Sequence, residues 1–185
     1  MDDNAIIDLY WDRSEEAITQ TDLKYGRYCY SIAYNILTNR QDAEESVSDT
    51  YMAAWNHSPP TRPNVLSTFL GRITRNLSIS RWRARGAQRR GGGEPDLAFE
   101  ELRECVSGKQ NVENDLIARE MLNILNQFLK ALPRENRIVF MRRYWYLDPI
   151  ARIATSCGFS QSKVKTMLCR DRKKLKQMLT KEGYV

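Results

Sequence analysis

Three sets of charged side chains in this chain could do chemistry, and none of them is a catalytic set. Residues 65–93 hold seven arginines and no acid. Guanidinium groups at that density suit phosphates, which they grip through charge-assisted hydrogen bonds. A second basic set begins at Ser160 and comprises Ser160, Gln161, Ser162, Lys163, Lys165, Thr166 and Arg170, then Arg172, Lys173, Lys174 and Lys176. It mixes cations with amide and hydroxyl groups, the combination that meets base edges as well as backbone. The third set is acidic: Asp42, Glu44, Glu45 and Asp49. Such a row offers charged pairs to basic residues of a partner helix, and a solvated helix face is the plain alternative.

Other chemistries lack material. There is one histidine, His57, and four cysteines stand far apart (Cys29, Cys105, Cys157, Cys169) with no Cys-x-x-Cys. Neither a metal site nor a disulfide framework is expected, nor a cofactor. The clustered acids share one helix face, which is poor material for a hydrolytic metal centre. No residue is assigned a catalytic role.

Net charge is +6, which favours an anionic partner, but the charge comes in blocks. Residues 1–57 hold eleven acids against four bases, residues 65–93 are purely basic, residues 94–116 are acidic again, and the last quarter is strongly basic. Alternating blocks suggest several surfaces with different partners. No run of about eighteen apolar residues is present, so no membrane insertion is expected. Met1-Asp2-Asp3-Asn4 lacks the basic-then-apolar pattern of a signal peptide, which points to a cytoplasmic protein.

Helices must position these sets. Residues 5–10 form a short helix in this reading. Leu23, Tyr28, Cys29, Ile32, Ala33, Ile36 and Leu37 recur at three- and four-residue steps, one apolar stripe of a longer helix. After a turn at 38–41, Asp42 with Glu45 resembles a capping box. The helix that follows turns Ala43, Val47, Tyr51, Ala54 and Trp55 inward and leaves Asp42, Glu45 and Asp49 outside. Residues 56–64 contain three prolines and form a loop that no helix crosses. A helix over about 65–83 buries Leu66, Phe69, Leu70, Ile73 and Leu77 and projects Arg72, Arg75, Asn76 and Arg83. Residues 85–93, basic and glycine-rich, mark a boundary. An acidic stretch with one or two helical turns around Leu97–Leu102 follows, its acids being Glu94, Asp96, Glu100, Glu101, Glu104, Glu113 and Asp115.

The second half opens with a helix carrying Leu116, Ile117, Met121, Ile124, Leu125, Phe128, Leu129 and Leu132, ended by Pro133. Residues 134–146 continue as a helix. Asp148 then caps a short helix starting at Pro149, with Ile150, Ile153 and Ala154 on one face. Gly158 suits a left-handed turn, and Ser160 caps a longer basic helix. Two helices joined by such a turn read as a helix-turn-helix that lays its second helix in a DNA major groove. No segment alternates as a strand and no solenoid repeat appears. The expected fold is all-α: two small helical domains joined by a flexible linker, with domains at 1–85 and 112–185 and an acidic linker at 86–111.

Both halves resemble one family, the sigma-70 family sigma factors of bacterial RNA polymerase, of the compact extracytoplasmic-function type. In the first half the resemblance lies in Asp42-Ala43-Glu44-Glu45 with Tyr51 and Ala54-Trp55, then Phe69-Leu70-x-x-Ile73-x-Arg75-Asn76. In the second it lies in Leu132-Pro133, Arg137-x-Val139-Phe140-x-x-Arg143-Tyr144, and Ser160-x-x-x-Val164-Lys165-Thr166-x-Leu168-x-Arg170-x-Arg172-x-x-Leu175. The chain differs from the family's usual residues at Ser48, Phe69, Ser80, Met167 and Asp171. An aspartate beside a DNA backbone is repulsive, so Asp171 is expected to face away from phosphate.

The resemblance implies that the first domain binds the clamp helices of the polymerase's largest subunit, through Asp42, Glu44, Glu45 and Asp49, and recognises and melts the −10 element. The loop 56–64 matches the position that captures a flipped-out base, with Asn56, His57, Arg62 and Asn64 as polar candidates; a plain surface turn is the alternative. Arg72, Arg75, Asn76, Arg81, Arg83 and Arg85 would hold phosphates beside the melted strand, with Trp82 either stacking on a base or partly in the core. The acidic linker matches a segment that runs toward the RNA exit path, or it is a soluble tether. The recognition helix would read the −35 element, with Gln161 toward adenine and Lys163 or Lys165 toward guanine. The implied partners are core RNA polymerase (clamp helices and flap region), promoter DNA and, as is common in the family, an anti-sigma factor. Two other readings stand beside it. A stand-alone helix-turn-helix regulator would bind a palindromic site without polymerase. A helical nuclease would need metal-binding carboxylates.

Overall fold

Helix ends explain where the chain turns. A computed structural model describes the backbone of residues 1–86, 94–106 and 115–183, and their side chains except at 86, 94–96, 104–106 and 115–119. Every regular element among the described residues is a helix. The chain divides into two units, Met1–Gly91 and Gly92–Val185.

The first unit contains α1 (Asp3–Trp11), α2 (Glu16–Leu37), α3 (Arg40–His57) and α4 (Leu66–Gly86). Asp2 caps α1 by accepting the Ala5 N–H at 3.0 Å. Helix α2 stops at Thr38, which takes a left-handed conformation, and α3 starts on Asn39, whose side chain accepts the Asp42 N–H at 3.0 Å. The expected Asp42 cap is therefore corrected: Asn39 caps the helix three residues earlier and leaves Asp42 inside the first turn. Helices α2, α3 and α4 pack on one another, and α1 lies against α2. Their core joins Ile6, Ile7 and Tyr10 to Cys29, Val47, Tyr51, Ala54, Leu66, Phe69 and Leu70.

Apolar periodicity located most of this core, but not all of it. Leu23, expected in the α2 stripe, is 74% exposed. Small polar residues that no apolar stripe predicts fill the α3–α4 seam instead: Ser46, Thr50, Thr74 and Ser78 are buried. The Thr50 hydroxyl donates to Ser46 O at 2.7 Å and reaches the Thr74 hydroxyl at 3.1 Å, and Thr74 donates to Leu70 O at 2.9 Å. The two threonines are thus satisfied within a close seam, while the Ser46 and Ser78 hydroxyls are buried without a partner among the described residues. Gly71 admits Tyr28 of α2, whose hydroxyl occupies the space a Cβ would need.

The second unit contains α5 (Glu94–Val106), α6 (Asp115–Ala131), α7 (Arg134–Tyr144), α8 (Ile150–Cys157) and α9 (Gln161–Lys181). Helix α9 is central and touches α5, α6, α7 and α8. Phe128, Phe140 and Tyr144 run through the core with ring centroids 5.1 and 4.6 Å apart. Pro149 occupies the cap position of α8, and helical conformation begins at Ile150, one residue later than expected; the Asp148 carboxylate pairs with Arg142 at 3.0 Å and Arg152 at 3.6 Å.

Within the stretch 86–111 expected as a flexible acidic linker, the one or two helical turns expected around Leu97–Leu102 belong to the longer helix α5, Glu94–Val106. It packs on α7 and α9 as part of the second unit. The cause is Glu101, which receives Arg143 at 3.0 Å, Arg172 at 3.1 Å and the Tyr144 hydroxyl at 2.8 Å. Arg143 is only 1% exposed, so this carboxylate balances a buried cation. The acids Glu94, Asp96, Glu104, Glu113 and Asp115, the basic residues 87–93, and Leu116 and Ile117 lie outside the described side chains.

Candidate polymerase and nucleic-acid interfaces

The five arginines and one asparagine expected on one DNA-facing helix divide between two faces of α4. At 3.6 residues per turn, Arg72, Arg75, Asn76 and Arg83 share one face, and Arg81 and Arg85 lie roughly opposite. On the first face, Arg72, Asn76 and Arg83 are exposed and Arg75 is half-buried. Burial pushes the Arg75 guanidinium below its usual value, and the nearby charge of Arg83 adds to the shift. Arg72 and Arg83 offer exposed cations of the kind that a phosphate backbone pairs with.

The second face is already occupied. Arg81 bridges Glu45 at 2.6 Å and Asp49 at 2.8 Å, and Arg85 pairs with Asp42. Residues expected on a polymerase surface and residues expected on a DNA surface are thus partners of each other. Asp42 is corrected further: it is 4% exposed, not on the outer face, because α3 starts three residues earlier and Arg85 covers it. Glu44 stays exposed and pairs with Arg40 one turn before it, at 2.8 Å.

What α3 does present to solvent is a strip of Glu44, Ser48 and Met52, with Met52 56% exposed. Along one side runs a groove of about 610 Å³ between α2 and α3, lined among others by Leu23, Tyr30, Glu44, Val47 and Ser48. Along the other side lie Glu45 and Asp49 with Arg81. Leu23, Tyr30, Val47 and Met52 were not singled out as site residues by the sequence; an apolar residue off the inward stripe, such as Met52, is the signal that could have found this strip.

The loop after α3 is anchored at both ends. The Ser58 hydroxyl donates to Thr61 O at 2.8 Å, and His57 Nδ1–H donates to Ala53 O at 2.6 Å. Arg62 pairs with Asp8 of α1 at 2.6 Å, its guanidinium 5.9 Å from the Trp11 ring centroid. Asn56 and Asn64 are exposed on either side. Trp82 is half-buried.

In the second unit, Gly158 takes a left-handed conformation with φ of 67°, and the Ser160 hydroxyl accepts the Lys163 N–H at 3.1 Å. Both positions behave as their residue types require. Ser160, Gln161, Ser162, Lys163, Lys165, Thr166 and Arg170 are all exposed, while Val164 and Leu168 are buried beneath them. The Lys163 amine sits 3.6 Å from the Phe159 ring centroid. Asp171 faces inward, fully buried, and accepts two contacts from the Asn136 amide at 2.9 and 3.1 Å. Arg172, placed by sequence in the second basic set with the cations expected to serve phosphates or polymerase, binds Glu101 and the Tyr144 hydroxyl within its own unit.

Among the described residues, no group of three His, Cys, Asp or Glu side chains is placed to hold a metal ion. No described helix is long and apolar enough to cross a membrane. Among curated proteins none matches the chain. Residues 23–88 match the family model described as Sigma-70 region 2, which supports a sigma-70 family sigma factor with a role in RNA polymerase binding and promoter recognition.

Proposed function

We propose that this chain is a sigma factor of the extracytoplasmic-function type that binds core RNA polymerase and directs initiation at its own set of promoters. The match of residues 23–88 to Sigma-70 region 2 carries the reading. The first unit serves as polymerase-binding and −10 domain. A polymerase helix lies along the Glu44–Ser48–Met52 strip, with apolar contacts in the groove beside Leu23 and Val47 and charged contacts at Glu44, Glu45 and Asp49. The non-template strand follows Arg72, Arg75, Asn76 and Arg83, and an unpaired base enters beside Asn56, His57, Arg62 and Asn64. Strand opening needs no catalytic group: a pocket that binds exposed bases shifts the equilibrium toward the melted state.

The second unit serves as the −35 reader. The exposed row from Ser160 to Arg170 enters the major groove, with Gln161, Lys163 and Lys165 nearest the base edges. Asp171, turned away into the core, does not oppose the phosphates. The protein acts in the cytoplasm with core polymerase, and an anti-sigma factor is the partner expected to hold it inactive.

Run-off transcription with core polymerase on a broad promoter library tests the reading. Promoter-specific transcripts above core polymerase alone are expected. Their absence, together with tight binding of the free chain to a palindromic site, would instead favour a stand-alone regulator.

A further inference from the structure

We infer that Arg81 belongs to a phosphate-binding site that Glu45 and Asp49 hold closed in the free chain, and that a basic partner laid along α3 opens it by taking those carboxylates. The identity of that partner as polymerase rests on the function proposed above; the closed site does not.

Arg81 is 23% exposed and bridges two carboxylates, whereas those carboxylates are 60% and 48% exposed. The acids therefore keep open sides toward solvent while the arginine is spanned between them. Arg85 follows one turn later on the same face, with its guanidinium half exposed although Asp42 holds it. A phosphate that met Arg81 would meet Arg85 as well. In the closed arrangement the same phosphate meets Glu45 and Asp49, and like charge repels it.

The closure is weak by construction. Exposed ion pairs contribute little, so a ligand that replaces one pair by another shifts the balance easily. A basic side chain pairing with Glu45 and Asp49 leaves Arg81 without its acids and free to turn to phosphate. Pairs are exchanged and none is lost. Asp42 cannot take part, because its carboxylate is buried and an unpaired buried charge is costly. It keeps Arg85 at the site while Arg81 moves. Binding of the basic partner and of nucleic acid then favour each other, since both prefer the open arrangement.

The test is a mutant cycle on the full chain, titrated with a fluorescent single-stranded oligonucleotide at several salt concentrations. Glu45→Gln/Asp49→Asn is expected to tighten binding and to steepen the salt dependence by about 0.7 in log–log slope, the value for one added phosphate contact on a single strand. In an Arg81→Gln background the same pair of changes should give no gain. A gain that persists without Arg81 would mean simple removal of negative charge and would overturn the closed site. Asp49→Asn alone is the milder variant and should give part of the gain, so a poorly folded double variant does not end the test. At saturating core polymerase, the gain on promoter DNA should shrink, because polymerase has already taken the acids. An equal gain there would overturn the exchange. Failure of the wild-type chain to bind core polymerase would reject the proposed function and leave the free-chain cycle to decide the closed site by itself.

Discussion

The Arg143 guanidinium of α7, buried in the second unit, lies 3.0 Å from the Glu101 carboxylate of α5. That pair ties a segment whose composition suggests a soluble tether to the core of a helical domain. Arg172 and the Tyr144 hydroxyl complete the cluster, and burial pushes the Tyr144 phenol well above its ordinary value, which keeps it a donor at any physiological pH.

Glu101→Ala leaves Arg143 buried without its carboxylate. The expected loss of stability is about 2–4 kcal/mol, toward the lower end because Glu101 itself is partly exposed. Urea unfolding of the full chain carrying Trp11→Phe, Trp55→Phe and Trp82→Phe in both backgrounds, followed by the remaining Trp145 fluorescence, measures it. A change within error would mean that α5 contributes nothing to the unit.

Gly71→Ala places a methyl group where the Tyr28 hydroxyl stands, with Tyr28 Cζ only 3.1 Å away. Overpacking of this kind costs about 1–3 kcal/mol. Tyr28→Phe removes the hydroxyl and should recover most of the loss, so the double variant melts above Gly71→Ala. If the two changes simply add, the clash is not the cause.

Substitution at Asp42 and on the outer strip should have different consequences. Asp42→Lys sets a buried cation against Arg85 and is expected to cost about 3–5 kcal/mol of stability. Glu44→Ala with Met52→Ser changes exposed groups and should leave the melting temperature within a few degrees of wild type. Under the proposed function it weakens core polymerase binding about tenfold, the effect of losing roughly 1.4 kcal/mol. Native-like affinity in a pull-down titration would remove the strip from the interface.

Lys165→Ala removes an exposed cation above a buried row. Initiation that depends on the −35 element should fall while polymerase binding is unchanged. A base contact would alter promoter choice, whereas a phosphate contact would weaken all promoters alike and lower the salt slope. Equal loss of transcription and polymerase binding would argue against the assigned role.

Asp3 joins α1 to α2 through Lys24 at 2.7 Å and the Tyr25 hydroxyl at 2.6 Å, and the Lys24 bond is the main reason its carboxyl lies below the ordinary value of 3.8. A lowered carboxyl stabilises the fold above its unfolded value and loses that contribution as pH falls through its folded value. Asp3→Asn should therefore flatten the stability profile below about pH 4 and leave no difference in profile shape near neutrality. Hydrogen–deuterium exchange at α1 across that range reads the change.

The helices, their approximate ends and the exposed basic row of α9 were legible because each depends on near neighbours. Val164, Leu168 and Leu175 repeat at helical spacing, Gly158 supplies a left-handed turn, and Ser160 caps the helix it precedes. These are properties of three or four consecutive turns of chain. The α4 arginines show the limit. Seven arginines without an acid announce an anion site, yet whether each guanidinium is available depends on which helix packs against it. Tertiary structure gives Arg81 to Glu45 and Asp49, buries Asp42 under Arg85, leaves Leu23 in solvent and draws Glu101 onto Arg143. Local periodicity says which residues a helix can share a face with. Only the packing of helices distant in sequence decides which charges neutralise one another, because Coulomb energy depends on distance in space and on the water excluded between the groups.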